Sequence, residues 1–374
     1  MSSSGSHTDD LVESAIAGIA PYEPGKPIEE LQRELGDDWG ADGAIKLASN
    51  ENPYGPSPRG IAAARAALAD AHRYPDGGTF ALRTKLAHRL GVEAKQILVG
   101  AGSNEIIDLL VQTFCAEGDE VLAPQYSFVA YKLAAQKNRR SFRETPCTPA
   151  LQYDVDALLA AVSPHTKIVF FANPNNPTGA YLPKPEMDRL VAKLPPRVLL
   201  AMDEAYFEYA SAPDYPSSLD YLAKRGRILT LRTFSKIYGL AGLRVGYAVA
   251  SAELLDYVHR IRLPFNTSAP GQAAALAALD DAEHVARARS GNDAERPRLA
   301  AALATLGLDV LPSQCNFILV GVGTRDGRQL YDKLLRKGVI VRPMNGYGLP
   351  HHLRVTVGTA AENARLQAAL RDVL

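Results

Sequence analysis

Between Gln96 and Ala250, short runs of apolar residues alternate with longer stretches of helical pattern. The runs are Ile97–Val99, Glu120–Leu122, Lys167–Phe171, Arg197–Met202, Arg227–Leu231 and Val245–Val249. Short buried strands separated by helix-length segments predict an α/β fold, with a mostly parallel sheet wrapped by helices in a large domain. Ile61–Ala71 and Gln272–Leu279 are rich in alanine and predict packing helices. From about Pro264 the pattern changes to a helical stretch, Ala294–Leu306, and shorter strand-like pieces at Phe317–Val320, Val339–Arg342 and Leu353–Val357. That change predicts a second, smaller α+β domain. The expected division is a tail over 1–10, an arm over 11–45, a large domain over 46–265 and a small domain over 266–374. The tail is Ser-rich, polar and expected to be disordered. The Pro- and Gly-rich stretch Pro21–Pro27 is expected to return to the small domain.

Charge and composition narrow the function classes. The 41 basic and 41 acidic residues cancel, so no net field draws the chain to nucleic acid or to an anionic membrane. A small-molecule substrate is the better expectation. Cys115, Cys147 and Cys315 form an odd set without metal-ligand spacing, which argues against a disulfide framework or a zinc site and for a reducing, cytoplasmic setting. No apolar run approaches the roughly 20 residues that span a bilayer. Ala15–Ala20 is too short for a signal core and lacks a basic flank.

In open α/β sheets the ligand crevice lies outside the carboxyl ends of the strands, and four segments place polar residues there. Gly100-Ala101-Gly102-Ser103-Asn104 precedes the apolar helical stretch Ile106–Phe114; it reads equally well as a phosphate site at a helix N-terminus or as a plain capped turn. Asn173-Pro174-Asn175-Asn176-Pro177-Thr178-Gly179 would hold the Asn176 amide firmly just past a buried strand, where most such turns only redirect the chain. Asp203-Glu204-Ala205-Tyr206 puts acids directly after an apolar strand, where they need a cation, an ion pair or a helix to cap. Thr233-Phe234-Ser235-Lys236, followed by Arg244, sets a lysine beside hydroxyls. On a surface it is a solvated charge; in a desolvated pocket it becomes an amine nucleophile.

With Asn176, Asp203, Tyr206, Lys236 and Arg244 in this order, the sequence resembles the large fold type I family of pyridoxal-phosphate aminotransferases over nearly its whole length. The resemblance implies that Lys236 binds the cofactor aldehyde as a Schiff base and then serves as proton carrier. It implies that Asp203 pairs with the ring nitrogen, and that Asn176 and Tyr206 donate to the phenolic oxygen. Tyr126, in Pro124-Gln125-Tyr126, takes the place of the aromatic that stacks on the ring. Gly102, Ser103, Asn104, Thr233, Ser235 and Arg244 take the places around the phosphate. Tyr74, in Arg73-Tyr74-Pro75-Asp76-Gly77, resembles the tyrosine that reaches the phosphate of a neighbouring subunit, which implies a homodimer with shared sites. The loop departs from the commoner Gly-Asn-Gly-Ser-Asp-Glu pattern at Ala101 and Asn104, a change that backbone donation should survive.

Leu353-Arg354-Val355-Thr356-Val357-Gly358-Thr359, Val341-Arg342-Pro343, the opening Pro21–Pro27 and Leu47–Pro58 with its Asn50-Glu51-Asn52-Pro53 core resemble the histidinol-phosphate aminotransferase branch. That implies exchange of an amino group between glutamate or 2-oxoglutarate and histidinol phosphate or imidazole-acetol phosphate. Arg354 and Arg342 would then clamp the carboxylate or phosphate, with Tyr22 adding a hydroxyl and Asn316 a further polar contact. Members with the same signatures can prefer phenylalanine or tyrosine, and a threonine-phosphate decarboxylase would share the lysine and the phosphate set. Regulators that use the fold as a sensor carry a DNA-binding domain, and this chain shows no helix-turn-helix or basic face.

Overall fold

The structure, a computed structural model, describes residues 11–21, 24–36, 39 and 43–374. The expected tail and Tyr22 lie outside the described residues. β1 (Ile45–Lys46) follows the arm. β2 (Ile97–Gly100), β3 (Glu120–Pro124), β4 (Ser141–Thr145), β5 (Thr166–Ala172), β6 (Leu199–Asp203), β7 (Ile228–Thr233) and β8 (Gly246–Ala250) form one seven-stranded sheet. Its order is β2-β8-β7-β6-β5-β3-β4. Only β8 runs against its neighbours.

The apolar runs form strands because both faces are covered. Ile168 and Phe170 of β5 pack with Leu199 and Ala201 of β6 on one face, and Val169 and Phe171 pack with Leu200 and Met202 on the other. This period of two, apolar on both sides, is expected of strands sandwiched between helices. β4 was not legible in the apolar pattern, because as an edge strand with Arg143 and Glu144 it is only partly buried.

β9 (Asp309–Val310), β10 (Phe317–Gly321), β11 (Val339–Ile340), β12 (Arg342–Pro343) and β13 (His352–Thr356) lie in the C-terminal region. The second sheet has the order β12-β13-β10-β9 and is antiparallel throughout. The expected strand Val339–Arg342 is divided: β11 pairs with β1, and β12 pairs with β13. Leu31, Ile45 and Leu47 join Leu299, Leu303, Ile318, Leu334, Val355 and Leu366 in one apolar cluster, so residues from the arm complete the small core.

Two helices move the division between the regions. Ala269–Ala278 falls within the expected small domain, yet Ala274, Ala275 and Ala278 share a cluster with Val99, Phe234 and Val245 beside the large sheet. It packs on Pro58–Ala67, where alanine and Gly60 allow a close approach; a Cβ on Gly60 would stand 3.2 Å from the Ala274 carbonyl. The helix read from Ala294 begins at Ala282 and runs to Thr305, its first half reaching the large-sheet cluster through Val285 and Ala288 and its last turns the small one. Its charged and Gly291-containing first half lacks the apolar spacing that marks a helix in sequence.

Candidate active site

The register of the large sheet collects the site. Ala172 lies beside Asp203 across β5 and β6, and Gly246 lies between Gly100 and Thr233 across β2, β8 and β7. The residues that follow β2, β5, β6 and β7, and Arg244 that precedes β8, therefore converge on one edge. A cavity of about 190 Å³ opens there, lined by Ser103, Asn104, Asn176, Asp203, Tyr206, Thr233, Ser235, Lys236, Arg244, Arg342 and Arg354.

Lys236 lies in the bend just after β7, and its Nζ donates to the Ser49 carbonyl at 3.1 Å. Nζ also stands 5.7 Å from the Tyr206 ring centre. Burial pushes the amine down to about 8, helped by the Arg354 and Arg244 guanidiniums and opposed by Glu51 and Asp203. A share of the amine is thus neutral near pH 7, as nucleophilic attack requires.

The adjacent acids divide. Glu204, whose side chain is fully buried, accepts from Arg232 Nε at 2.9 Å and Nη2 at 2.8 Å, so it takes the ion pair. Asp203, 4% exposed, turns to the cavity and accepts from the Tyr131 hydroxyl at 2.8 Å and the Ala205 N–H at 3.1 Å. Among the described residues no cation pairs with it. Burial pushes its carboxyl up to about 6, against the two hydrogen bonds. A buried carboxylate without a counter-cation is suited to a cationic ring nitrogen.

Tyr131, fully buried and stacked on Phe170 with centroids 4.7 Å apart, was not among the residues singled out in the sequence. Its position on a buried helix face is the signal, since a phenol there needs a partner. Tyr126 is a correction. Its backbone is left-handed (φ 54°), and its side chain packs toward Leu319, Met344 and Leu349 instead of lining the cavity. Phe128 supplies the aromatic wall.

At the other end of the cavity, the helix Ser103–Phe114 begins with no side chain capping its first N–H groups. These amides and the helix dipole face the cavity beside Arg244. Gly102 itself adopts φ 81° and does not line the cavity; a Cβ there would stand 2.8 Å from Arg244 Nη2. Gly246 is required too, because a Cβ would meet the Ser103 nitrogen at 2.6 Å.

Arg354 on β13 is 7% exposed. Nη1 donates to Asn176 Oδ1 and Nη2 to the Ala48 carbonyl at 2.7 Å, while the buried Nε has no partner. A guanidinium offers only donors, so the Asn176 oxygen faces it and the Asn176 NH2 is left for the cavity. Arg342 stands directly across from Arg354 on β12. Two cations at one cross-strand position repel each other, and an anion between them relieves that repulsion. Asn316 is a second correction. It is 1% exposed, donates to the Asn50 and Glu51 carbonyls, and does not line the cavity, so it braces the chain at Asn50. Tyr74 lies outside the cavity of its own chain, 82% exposed and stacked on Phe265.

The donors present fit pyridoxal phosphate: an amine, an unpaired buried carboxylate, hydroxyl and amide donors from Tyr206 and Asn176, and a helix N-terminus with an arginine for the phosphate. Among the described residues, no helix is long and apolar enough to cross a membrane.

Residues 42–370 match the family described as aminotransferase class I and II. The chain is 50% identical over 364 residues to the histidinol-phosphate aminotransferase of Anaeromyxobacter sp. (strain Fw109-5), covering 97% of this chain and 99% of the relative. It is 46% identical to histidinol-phosphate aminotransferase 2 of Pseudomonas aeruginosa, covering 97% and 98%. Among solved structures, histidinol-phosphate aminotransferase from Sinorhizobium meliloti in complex with pyridoxal-5'-phosphate superposes with a TM-score of 0.86 at 29% identity, covering 97% of each chain. With this likeness over nearly its whole length, and with the lysine, the unpaired carboxylate and the arginine wall gathered at one sheet edge, the chain belongs to the class I and II aminotransferases, which work with pyridoxal phosphate.

Proposed function

We propose that the chain moves an amino group between glutamate and imidazole-acetol phosphate, forming 2-oxoglutarate and histidinol phosphate in histidine synthesis. The relatives named above support the substrate. The observation that carries the reading is Arg354, buried at the cavity wall with Nε unpartnered and Arg342 opposite. Such a pair suits substrates that share an anionic group and little else, since a guanidinium binds carboxylate and phosphate alike.

Pyridoxal phosphate supplies an aldehyde that condenses with amines and a ring that draws electrons from the substrate carbon. Lys236 would hold it covalently through Nζ, and the same amine would carry the proton to and from the substrate carbon. Asp203 would hold the ring nitrogen's proton, while Tyr206 and Asn176 would donate to the phenolic oxygen. Ser103 and Asn104, with Thr233, Ser235 and Arg244, would bind the phosphate, and Phe128 would cover the ring. Arg354 and Arg342 orient the incoming anion. Tyr22 is proposed to join them.

The active unit is proposed to be a homodimer in which Tyr74 reaches the partner's phosphate. The exposed Tyr74–Phe265 stack and Leu263, 71% exposed, support an apolar contact there. A cytoplasmic setting suits the three free thiols, Cys115, Cys147 and Cys315.

The test is a half-reaction. Cofactor-loaded protein is mixed separately with histidinol phosphate, glutamate and phenylalanine, and the loss of the bound cofactor's absorbance is followed. Fast conversion by the first two and slow conversion by phenylalanine is expected. The opposite order overturns the substrate assignment and makes the protein an aromatic aminotransferase.

A further inference from the structure

Asn50 is 1% exposed, yet its backbone is left-handed (φ 57°), a conformation that asparagine tolerates better than most residues. Bonds on each side hold it. Its N–H donates to Thr356 Oγ1 at 2.9 Å, Asn316 Nδ2 donates to its carbonyl at 3.0 Å, and its own Nδ2 donates to the Tyr206 hydroxyl at 2.8 Å. The direction of the amide follows from this chain. Thr356 Oγ1 already accepts from the Asn50 backbone, so its hydrogen turns to Asn50 Oδ1, 3.3 Å away. With Oδ1 engaged, the NH2 end faces Tyr206. An amide NH2 only donates, so the Tyr206 oxygen accepts and its single hydrogen points elsewhere. Tyr206 lines the cavity, and among the described residues no other group bonds its hydroxyl.

We infer that Asn50 is a positioning residue: by donating to the Tyr206 oxygen it keeps the tyrosine's hydrogen aimed into the cavity, at the phenolic oxygen of the cofactor. The inference rests on the reading of Tyr206 as a donor to that oxygen. The other charged or titratable groups facing Tyr206 are Arg354, Cys315, Asp203, Lys236, Tyr131 and Tyr209. The short segment around Asn50 also serves its neighbours. The Ala48 carbonyl accepts from Arg354 and the Ser49 carbonyl from Lys236. Leu47 ties the segment to the small domain, donating to the Ile340 carbonyl at 2.7 Å and accepting from the Thr356 N–H at 2.8 Å. Clamp, amine and tyrosine are thus set by consecutive residues of one strap.

The experiment is a pH titration of the bound cofactor's absorbance in the loaded parent, Tyr206→Phe, Asn50→Asp, Asn50→Gly and the Asn50→Gly/Tyr206→Phe double variant. Asn50→Gly keeps the left-handed backbone without strain. A hydrogen bond to the phenolic oxygen favours the form in which that oxygen is more negative, so losing it moves the midpoint up. Tyr206→Phe is expected to raise it by about one pH unit, the worth of one such bond. Asn50→Asp is expected to raise it at least as much, because the carboxylate draws the Tyr206 hydrogen away. Asn50→Gly is expected to raise it by less and to add nothing in the Tyr206→Phe background. If Tyr206→Phe leaves the midpoint in place, the reading of Tyr206 fails and takes the inference with it. If Tyr206→Phe moves it and the Asn50 variants do not, the inference alone is overturned. It is overturned equally if the Asn50→Gly shift persists undiminished in the double variant.

Discussion

Tyr131→Phe removes one oxygen from the core and leaves Asp203 with a single hydrogen bond, from the Ala205 N–H. The ring stays, and with it the stack on Phe170, so the substitution isolates the hydroxyl. A hydrogen bond to a charged group contributes about 1.5–3 kcal/mol, which is roughly one to two units on the carboxyl's pKa. Asp203 already stands at about 6 because burial outweighs its hydrogen bonds, and the variant should push it further toward neutrality. The sign follows from linkage. A carboxyl whose folded pKa lies above its unfolded value favours the folded state when protonated, and that advantage is lost as pH rises through the folded value. The Tyr131 bond therefore matters where Asp203 is ionised. Urea unfolding of cofactor-free protein should show Tyr131→Phe less stable than the parent by about 1.5–3 kcal/mol at pH 8.5 and by clearly less at pH 5. Equal losses at both pH values, or none at pH 8.5, would refute the idea that Tyr131 holds the charged form.

Lys236→Ala should abolish covalent cofactor binding and turnover while leaving the unfolding midpoint of the cofactor-free protein near the parent's; normal turnover would sink the assignment. Because burial lowers the Lys236 amine to about 8, capture of added pyridoxal phosphate should accelerate as pH rises through 8 and level off above it, and a rise that continues to pH 10 would contradict the desolvated site. Arg354→Ala should weaken glutamate and histidinol phosphate alike, by about tenfold or more in kcat/KM for loss of a charged contact; a loss for only one substrate argues against a shared clamp. Arg232→Met strands the buried Glu204 carboxylate and should cost about 3–5 kcal/mol in urea unfolding, and a variant as stable as the parent would show that the pair is dispensable.

Much of the site could be read along the chain, since its residues follow apolar strands and a parallel sheet sends the ends of those strands to one edge. Lys236, Asp203 and Asn176 were legible for this reason, and Arg244 by its fixed distance after Lys236. Tyr131 and Asn50 were not, because each acts through another side chain and neither stands at a strand end. Tyr126 and Phe128 lie in one bend, and which of them reaches the cavity depends on the left-handed backbone at Tyr126. Asn316 follows the same lesson: the resemblance implies a polar contact with the substrate, and its bonds to the Asn50 and Glu51 carbonyls make it a brace.

By itself, then, the sequence determined six of the seven strands of the large sheet and the polar residues set at their carboxyl ends, because hydrophobic period and chain order are local properties. Tertiary structure decided which adjacent acid is left without a cation. Glu204 meets Arg232 on the neighbouring strand, and Asp203 turns to the cavity, where only neutral donors reach it. It also brought β13 and the Asn50 segment across from the far ends of the chain to face Lys236. Contacts of that sequence separation depend on how two cores pack and are joined by the arm, which no local pattern records.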